Sequence, residues 1–154
     1  MIKILFVCLG NICRSPMAEF ILKDMVKKEN LENKFIIHSA ATSSSTSGED
    51  MYEEAKIKLK ENQITYTKHK ARKILQSDYE KYDYIIGMDD NNIKDILYVI
   101  KEDKNKKVYK LLDFTKKPRD ILDPWYTGNF TKAYDDIKIG CQGLLNYLIN
   151  LKQF

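Results

Sequence analysis

Arginine, cysteine, histidine and proline are all scarce in this sequence: Arg stands only at 14, 72 and 119, Cys at 8, 13 and 141, His at 38 and 69, Pro at 16, 118 and 124. With so few arginines the net charge of +4 is carried by lysine. That describes a solvated lysine-rich surface and argues against a dedicated nucleic-acid binder, which needs a stronger and more clustered basic patch. An odd number of cysteines without framework spacing excludes a disulfide-stapled scaffold and fits a reducing, cytoplasmic compartment. No Cys/His cluster is present, so neither a metal site nor a cofactor is expected. No apolar run approaches the length of a membrane span. The opening MIKILFVCLG is too short an apolar run for a signal peptide, and no small-residue cleavage site follows it. Without a repeat or a shift in composition, residues 1–154 read as a single domain, long enough to bury roughly two thirds of its unfolded surface.

What is present is a concentrated motif at the start. Ile2, Ile4, Leu5, Phe6 and Val7 form a run of strand length, the pattern of a buried parallel strand. Ser15 followed by Pro16 reads as a helix N-cap and first helical position. The intervening Cys8, Leu9, Gly10, Asn11, Ile12, Cys13 and Arg14 then lie between a strand end and a helix N-terminus, where backbone N–H groups and the helix dipole favour an anion. Gly10 and Asn11 are residue types that tolerate left-handed backbone angles, which such a loop uses to turn N–H groups inward. A tetrahedral anion held by Arg14 and the loop amides would have the Cys8 sulfur beneath its central atom. The same positive field favours the thiolate, to which Ser15 can add a hydroxyl donor.

Further along, helical spacing covers 16–29, through Ala18, Ile21, Leu22, Met25 and Val26. Phe35 to Ile37 form a second strand leading to His38 and Ser39, followed by a small polar loop from Ala40 to Gly48. Residues 49–62 read as a helix with Met51, Ala55 and Leu59 inward, then a polar loop from Tyr66 to Arg72 and a short helix at 76–81. Tyr84 to Ile86 give a third strand, ending at Gly87 and Met88, where Asp89 can cap a helix running through Ile93, Ile96, Leu97 and Ile100. Residues 107–112 give the fourth strand, 115–128 a long loop, and from Phe130 a final helix carries Cys141 on its apolar stripe. Strand–helix alternation predicts an α/β fold, an open four-stranded parallel sheet flanked by helices. Cys8, Ser39 and Asp89 each follow a predicted strand, so all three are expected at the ligand-binding edge.

Displacement at a phosphate ester by Cys8 needs a proton for the leaving oxygen. Among the carboxylates outside helices, Asp123 stands out, with Pro124 fixing the backbone and the aromatics Trp125 and Tyr126 following, which reads either as an acid on a loop or as an Asp-Pro turn with aromatics packed on the surface.

The filled-in motif VCLGNICRSPMAE, at the start of a chain of this size, resembles the low-molecular-weight protein tyrosine phosphatases. The resemblance extends to Asp123-Pro124-Trp125-Tyr126, which in that family supplies the general acid and an aromatic wall of the pocket. It implies that Asn11, Ser39 and His69 form a network holding the loop, and that Asp89 orients Arg14. Cys8, Arg14 and Asp123 are then catalytic, and Leu9, Gly10, Asn11, Ile12, Cys13, Ser15, Trp125 and Tyr126 bind substrate. The implied reaction is hydrolysis of phosphotyrosine through a phosphocysteine without metal, on tyrosine-phosphorylated proteins, with inorganic phosphate as product. No nucleic-acid or membrane partner is implied, and exposed aromatics near the pocket allow a monomer or weak self-association.

Cys13 keeps two readings: a filler beneath the loop, or, as the resemblance implies, a partner for Cys8 in a reversible disulfide. One departure concerns the stretch Ser44 to Met51, which lacks the aromatic and prolines usual in the family, leaving one pocket wall and the substrate preference open. Arsenate reductases of similar fold need two further relay cysteines, and the only distant thiol here is Cys141. Protein arginine phosphatases favour Thr at the position of Ile12. A dead phosphate-binding module would have lost Cys8 or Asp123, and both are present.

Overall fold

The strands are apolar on both faces because both faces are covered. The computed structural model describes residues 1–151, leaving 152–154 of the expected domain outside the described residues. Four strands, β1 (Ile2–Cys8), β2 (Phe35–Ala41), β3 (Tyr84–Gly87) and β4 (Val108–Lys110), form a parallel sheet in the order β2-β1-β3-β4. From central β1, Ile4, Phe6 and Cys8 pack into the layer of α1 (Arg14–Lys28), α2 (Glu53–Glu61) and α6 (Phe130–Leu151), joining Met17, Ile21, Leu59, Ile137 and Cys141. Leu5 and Val7 turn to the opposite layer, against Ile96 and Ile100 of α4 (Asp90–Ile100). Short helices α3 (Asp78–Lys81) and α5 (Pro124–Thr127) complete the order. No helix of the described residues is long and apolar enough to cross a membrane.

The chain leaves β1 to build β2 on one side and β3 on the other. The crevice beyond the carboxyl ends of β1 and β3 is therefore the topological switch point, where ligands bind in sheets of this kind. Cys8 ends β1, and Asp89 lies just past β3.

Several boundaries differ from expectation for identifiable reasons. The first helix begins at Arg14 with Cys13 as N-cap, so Ser15 is not the cap and Pro16 is not the first helical residue. Pro16 still falls in the first turn, where a backbone N–H has no intrahelical acceptor to lose. β2 continues to Ala41, so Ser39 lies inside the strand, opposite Phe6, and not beyond its end. α2 starts only at Glu53, because residues 48–52 are committed elsewhere: Gly48 N–H donates to Ala71 O (2.8 Å), Ala71 N–H to Glu49 O (2.8 Å) and Tyr52 N–H to Ile12 O (2.8 Å). β4 is cut to three residues by a 3₁₀ turn at Leu111–Phe114. The long loop before α6 contains α5, with Asp123 as its N-cap and Pro124 at its first position.

Candidate active site

The loop after β1 is held in a form that aims donors at one sulfur. Cys8 Sγ lies 3.0 Å from Ser15 Oγ, 3.3 Å from the Asn11 N–H donor and 3.4 Å from the Ser15 N–H donor. Asn11 is buried with φ 58°, the one left-handed residue of the loop; Gly10 is not left-handed. Gly10 serves close approach instead, since a Cβ there would stand 3.1 Å from Thr46 Oγ1, whose hydroxyl donates to Gly10 O (2.6 Å). Asn11 Nδ2 donates to Ser15 Oγ (2.8 Å), so the Ser15 hydroxyl proton is left to point at Cys8 Sγ (3.0 Å) or at Ala40 O (3.4 Å). Among the described residues the N–H groups of Gly10, Ile12, Cys13 and Arg14 have no protein acceptor, leaving a nest of donors around the sulfur.

Arg14 is almost wholly buried, which sets its charge a severe requirement for partners. Nη1 donates to Asp89 Oδ2 (2.7 Å) and to Ile121 O (2.7 Å), and Nη2 reaches Asp123 Oδ2 at 3.3 Å. Burial works against the guanidinium charge, but Cys8, Asp123 and Asp89 outweigh it and hold its pKa above the ordinary value. Asp89 divides its carboxylate: Oδ2 takes Arg14 while Oδ1 caps α4 through Asn92 N–H (2.7 Å). Asp123 divides likewise, with Oδ1 on Trp125 N–H (3.0 Å).

The supporting residues fall partly as expected. His69 Nε2 lies 2.7 Å from Asn11 O, a carbonyl, so the ring donates from Nε2. Ser39 does not join that network. Its hydroxyl donates to Glu19 Oε1 on α1 (2.6 Å), because its position inside β2 turns the side chain toward that helix, and Glu19 also takes Lys23 (2.6 Å). Ser39 therefore braces α1 against β2 behind the loop.

Cys13 is buried, and desolvation together with the charge of Cys8 pushes its thiol up to about 12. Cys141 is wholly buried, and burial raises its pKa too.

Cys8, Leu9, Gly10, Ile12, Cys13, Arg14, Asp123, Trp125 and Tyr126 line one cavity of about 230 Å³. Asn11 and Ser15 stand behind it as braces. From the stretch Ser44 to Met51, whose lack of an aromatic left one pocket wall open, Ser45 and Thr46 line the cavity. Three braces escaped the sequence reasoning. The Arg72 backbone N–H donates to Asn11 Oδ1 (3.2 Å), the Ile121 carbonyl takes Arg14, and buried Asn92 accepts from Met88 N–H (2.9 Å) while capping α4. Only Asn92 had a local signal, its capping-box spacing from Asp89; the others act through backbone groups that any residue could carry.

Comparison with known proteins gives a consistent picture. Residues 3–153 match the family described as low molecular weight phosphotyrosine protein phosphatase. The low molecular weight protein-tyrosine-phosphatase YfkJ of Bacillus subtilis (strain 168) is 38% identical over 155 residues, covering 99% of each chain. Its crystal structure superposes with a TM-score of 0.96, over 99% of this chain and 98% of that one. A protein tyrosine phosphatase from Entamoeba histolytica, solved with Hepes in its active site, is 33% identical with a TM-score of 0.91, covering 99% of both chains.

Proposed function

Because the chain belongs to the low molecular weight phosphotyrosine protein phosphatase family and is thus a protein-tyrosine-phosphatase, we propose that it hydrolyses phosphotyrosine and aryl phosphate monoesters through a phosphocysteine, without metal. The observation that carries the mechanism is the convergence of two backbone N–H donors and the Ser15 hydroxyl on Cys8 Sγ, in the same small cavity as Arg14 and Asp123.

In the first step the phosphoryl oxygens take the free loop N–H groups and the guanidinium of Arg14, whose long 3.3 Å contact to Asp123 is the one an incoming oxygen can replace. Cys8 sulfur forms a bond to phosphorus as the bond to the tyrosine oxygen breaks, and Asp123, entering as the carboxylic acid, gives that oxygen its proton. In the second step Asp123, now ionised, takes a proton from water, which attacks phosphorus and releases thiolate and inorganic phosphate. Phosphoryl transfer depends chiefly on positioning and charge stabilisation, which Arg14 and the oriented amides supply. Trp125 and Tyr126 wall the phenyl ring. Tyrosine-phosphorylated proteins are the partners this assigns, and residues 1–154 act as one catalytic domain.

The test is hydrolysis of p-nitrophenyl phosphate by the wild type, Cys8→Ser and Asp123→Ala in the presence of a chelator. Wild-type turnover should persist, Cys8→Ser should abolish it, and Asp123→Ala should slow it by about 10²- to 10⁴-fold. Activity surviving in Cys8→Ser, or lost to chelation alone, overturns the mechanism.

The same pocket holds a second thiol, and we propose redox control through it. Hydrogen peroxide converts the Cys8 thiolate to a sulfenic acid, and the Cys13 sulfur displaces its oxygen as water, closing a disulfide that thiols reopen. Since burial holds the Cys13 thiol above its ordinary pKa, its thiolate fraction grows with pH and closure should quicken as pH rises from 6 to 9. Inactivation that thiol does not reverse, with no Cys8–Cys13 bond by mass spectrometry, would count against it.

A further inference from the structure

The Trp125 indole is shared between two hollows. One is the cavity above Cys8; the other is a cleft of about 520 Å³ lined by Tyr52, Glu54, Pro124, Trp125, Gly128 and Phe130. Three rings surround this second cleft. Tyr52 meets Trp125 edge-on, with centroids 4.9 Å apart at 67°, and lies nearly parallel to Phe130 at 5.8 Å and 24°. The cluster carries one charge, the exposed carboxylate of Glu54 on the first turn of α2. Among the described residues no cation lies within ion-pair reach of Glu54, and none of the lining residues is basic. The carboxylate charge falls on the cleft itself: with burial and a hydrogen bond between the Tyr52 hydroxyl and Glu54, it raises the pKa of the Tyr52 phenol.

Resting on the phosphatase reading, we infer that this cleft is a second substrate subsite that takes a lysine or arginine side chain flanking the phosphotyrosine. Aromatic faces beside a carboxylate that no cation neutralises complement a cation on a long apolar stem: the stem lies against the rings, the charge meets the ring faces and Glu54. An acidic side chain would meet repulsion from Glu54. A purely apolar side chain would shield the carboxylate from water and offer its charge nothing in return. Because Trp125 walls both hollows, a peptide whose phosphotyrosine sits over Cys8 passes directly by the cleft.

The test compares kcat/KM for phosphotyrosine peptides that differ only in carrying Lys, Ala or Glu at the residues on either side of phosphotyrosine. p-Nitrophenyl phosphate, which has no flanking residues, is measured with each enzyme as the reference. The wild type should favour the Lys peptide over the Glu peptide by about five- to thirtyfold at low salt, narrowing as salt is raised. Glu54→Gln should remove most of that preference and Glu54→Lys should invert it. A wild type indifferent to the flanks, one that prefers Ala flanks, or a Lys preference that survives Glu54→Gln would overturn the subsite. Absence of wild-type turnover of p-nitrophenyl phosphate would instead overturn the phosphatase reading.

Discussion

Arg14 is the residue on which three separately encoded segments meet. The fork of its guanidinium reaches Asp89 beyond β3, the Ile121 carbonyl and Asp123 at the start of α5, in directions that only a planar group with several donors can serve at once. Lysine has a single ammonium and cannot span those acceptors while facing a phosphoryl group. Arg14→Lys should therefore lower kcat for p-nitrophenyl phosphate by about 10²- to 10³-fold, measured at saturating substrate. The residue type and its spacing from Cys8 were readable in the chain. Its dependence on Ile121 was not, because a main-chain carbonyl leaves no mark on residue identity.

At the scale of elements, the segment that delays α2 also fastens the loop after β1. Asp50 Oδ1 accepts from Met51 N–H (2.7 Å) and His69 N–H (3.0 Å), while Oδ2 pairs with Lys56 (2.8 Å), and His69 in turn holds Asn11. The Lys56 contact, with the two backbone donors, pulls the Asp50 carboxyl down to about 2. A folded-state value below the unfolded one means that the stabilisation is complete above about pH 4 and is lost as pH falls through about 2. Asp50→Asn should cost about 1 kcal/mol at pH 7, allowing for solvent screening. The gap between the two proteins in urea denaturation should close as pH is lowered from 4 toward 2. Apolar periodicity predicted a helix from 49 and correctly turned Met51, Ala55 and Leu59 inward. It could not register the backbone bonds to Ala71 and Ile12 that hold residues 48–52 out of the helix, since those partners are remote in sequence.

For the whole molecule, the sheet order makes the anion site a property of the folded state alone. Cys8 and Asp89 come together only when β1 and β3 pair, and the loop donors have no counterpart in an unfolded chain. Inorganic phosphate, bound by the native state only, should therefore raise stability by about 2.7 kcal/mol at one hundred times its Kd, a rise of about 5–10 °C in the melting temperature. Thermal melts check this, and Arg14→Ala should lose the shift.

The layout of the candidate site was determined by sequence, because the cysteine, the loop of inward N–H groups and the helix start occupy one unbroken stretch from Cys8 to Pro16, where spacing alone constrains geometry. The parallel sheet was readable for a similar reason, β1, β2 and β3 each being built on an apolar run. Tertiary structure alone decided what surrounds that stretch. It drew Ser39 to Glu19 and away from the loop network, set Ser45 and Thr46 as a polar wall, and assembled Tyr52, Glu54, Trp125 and Phe130 beside the pocket. These depend on which side of a strand a residue faces and where remote loops come to rest, quantities set by packing of the whole core and not by any local run of residues.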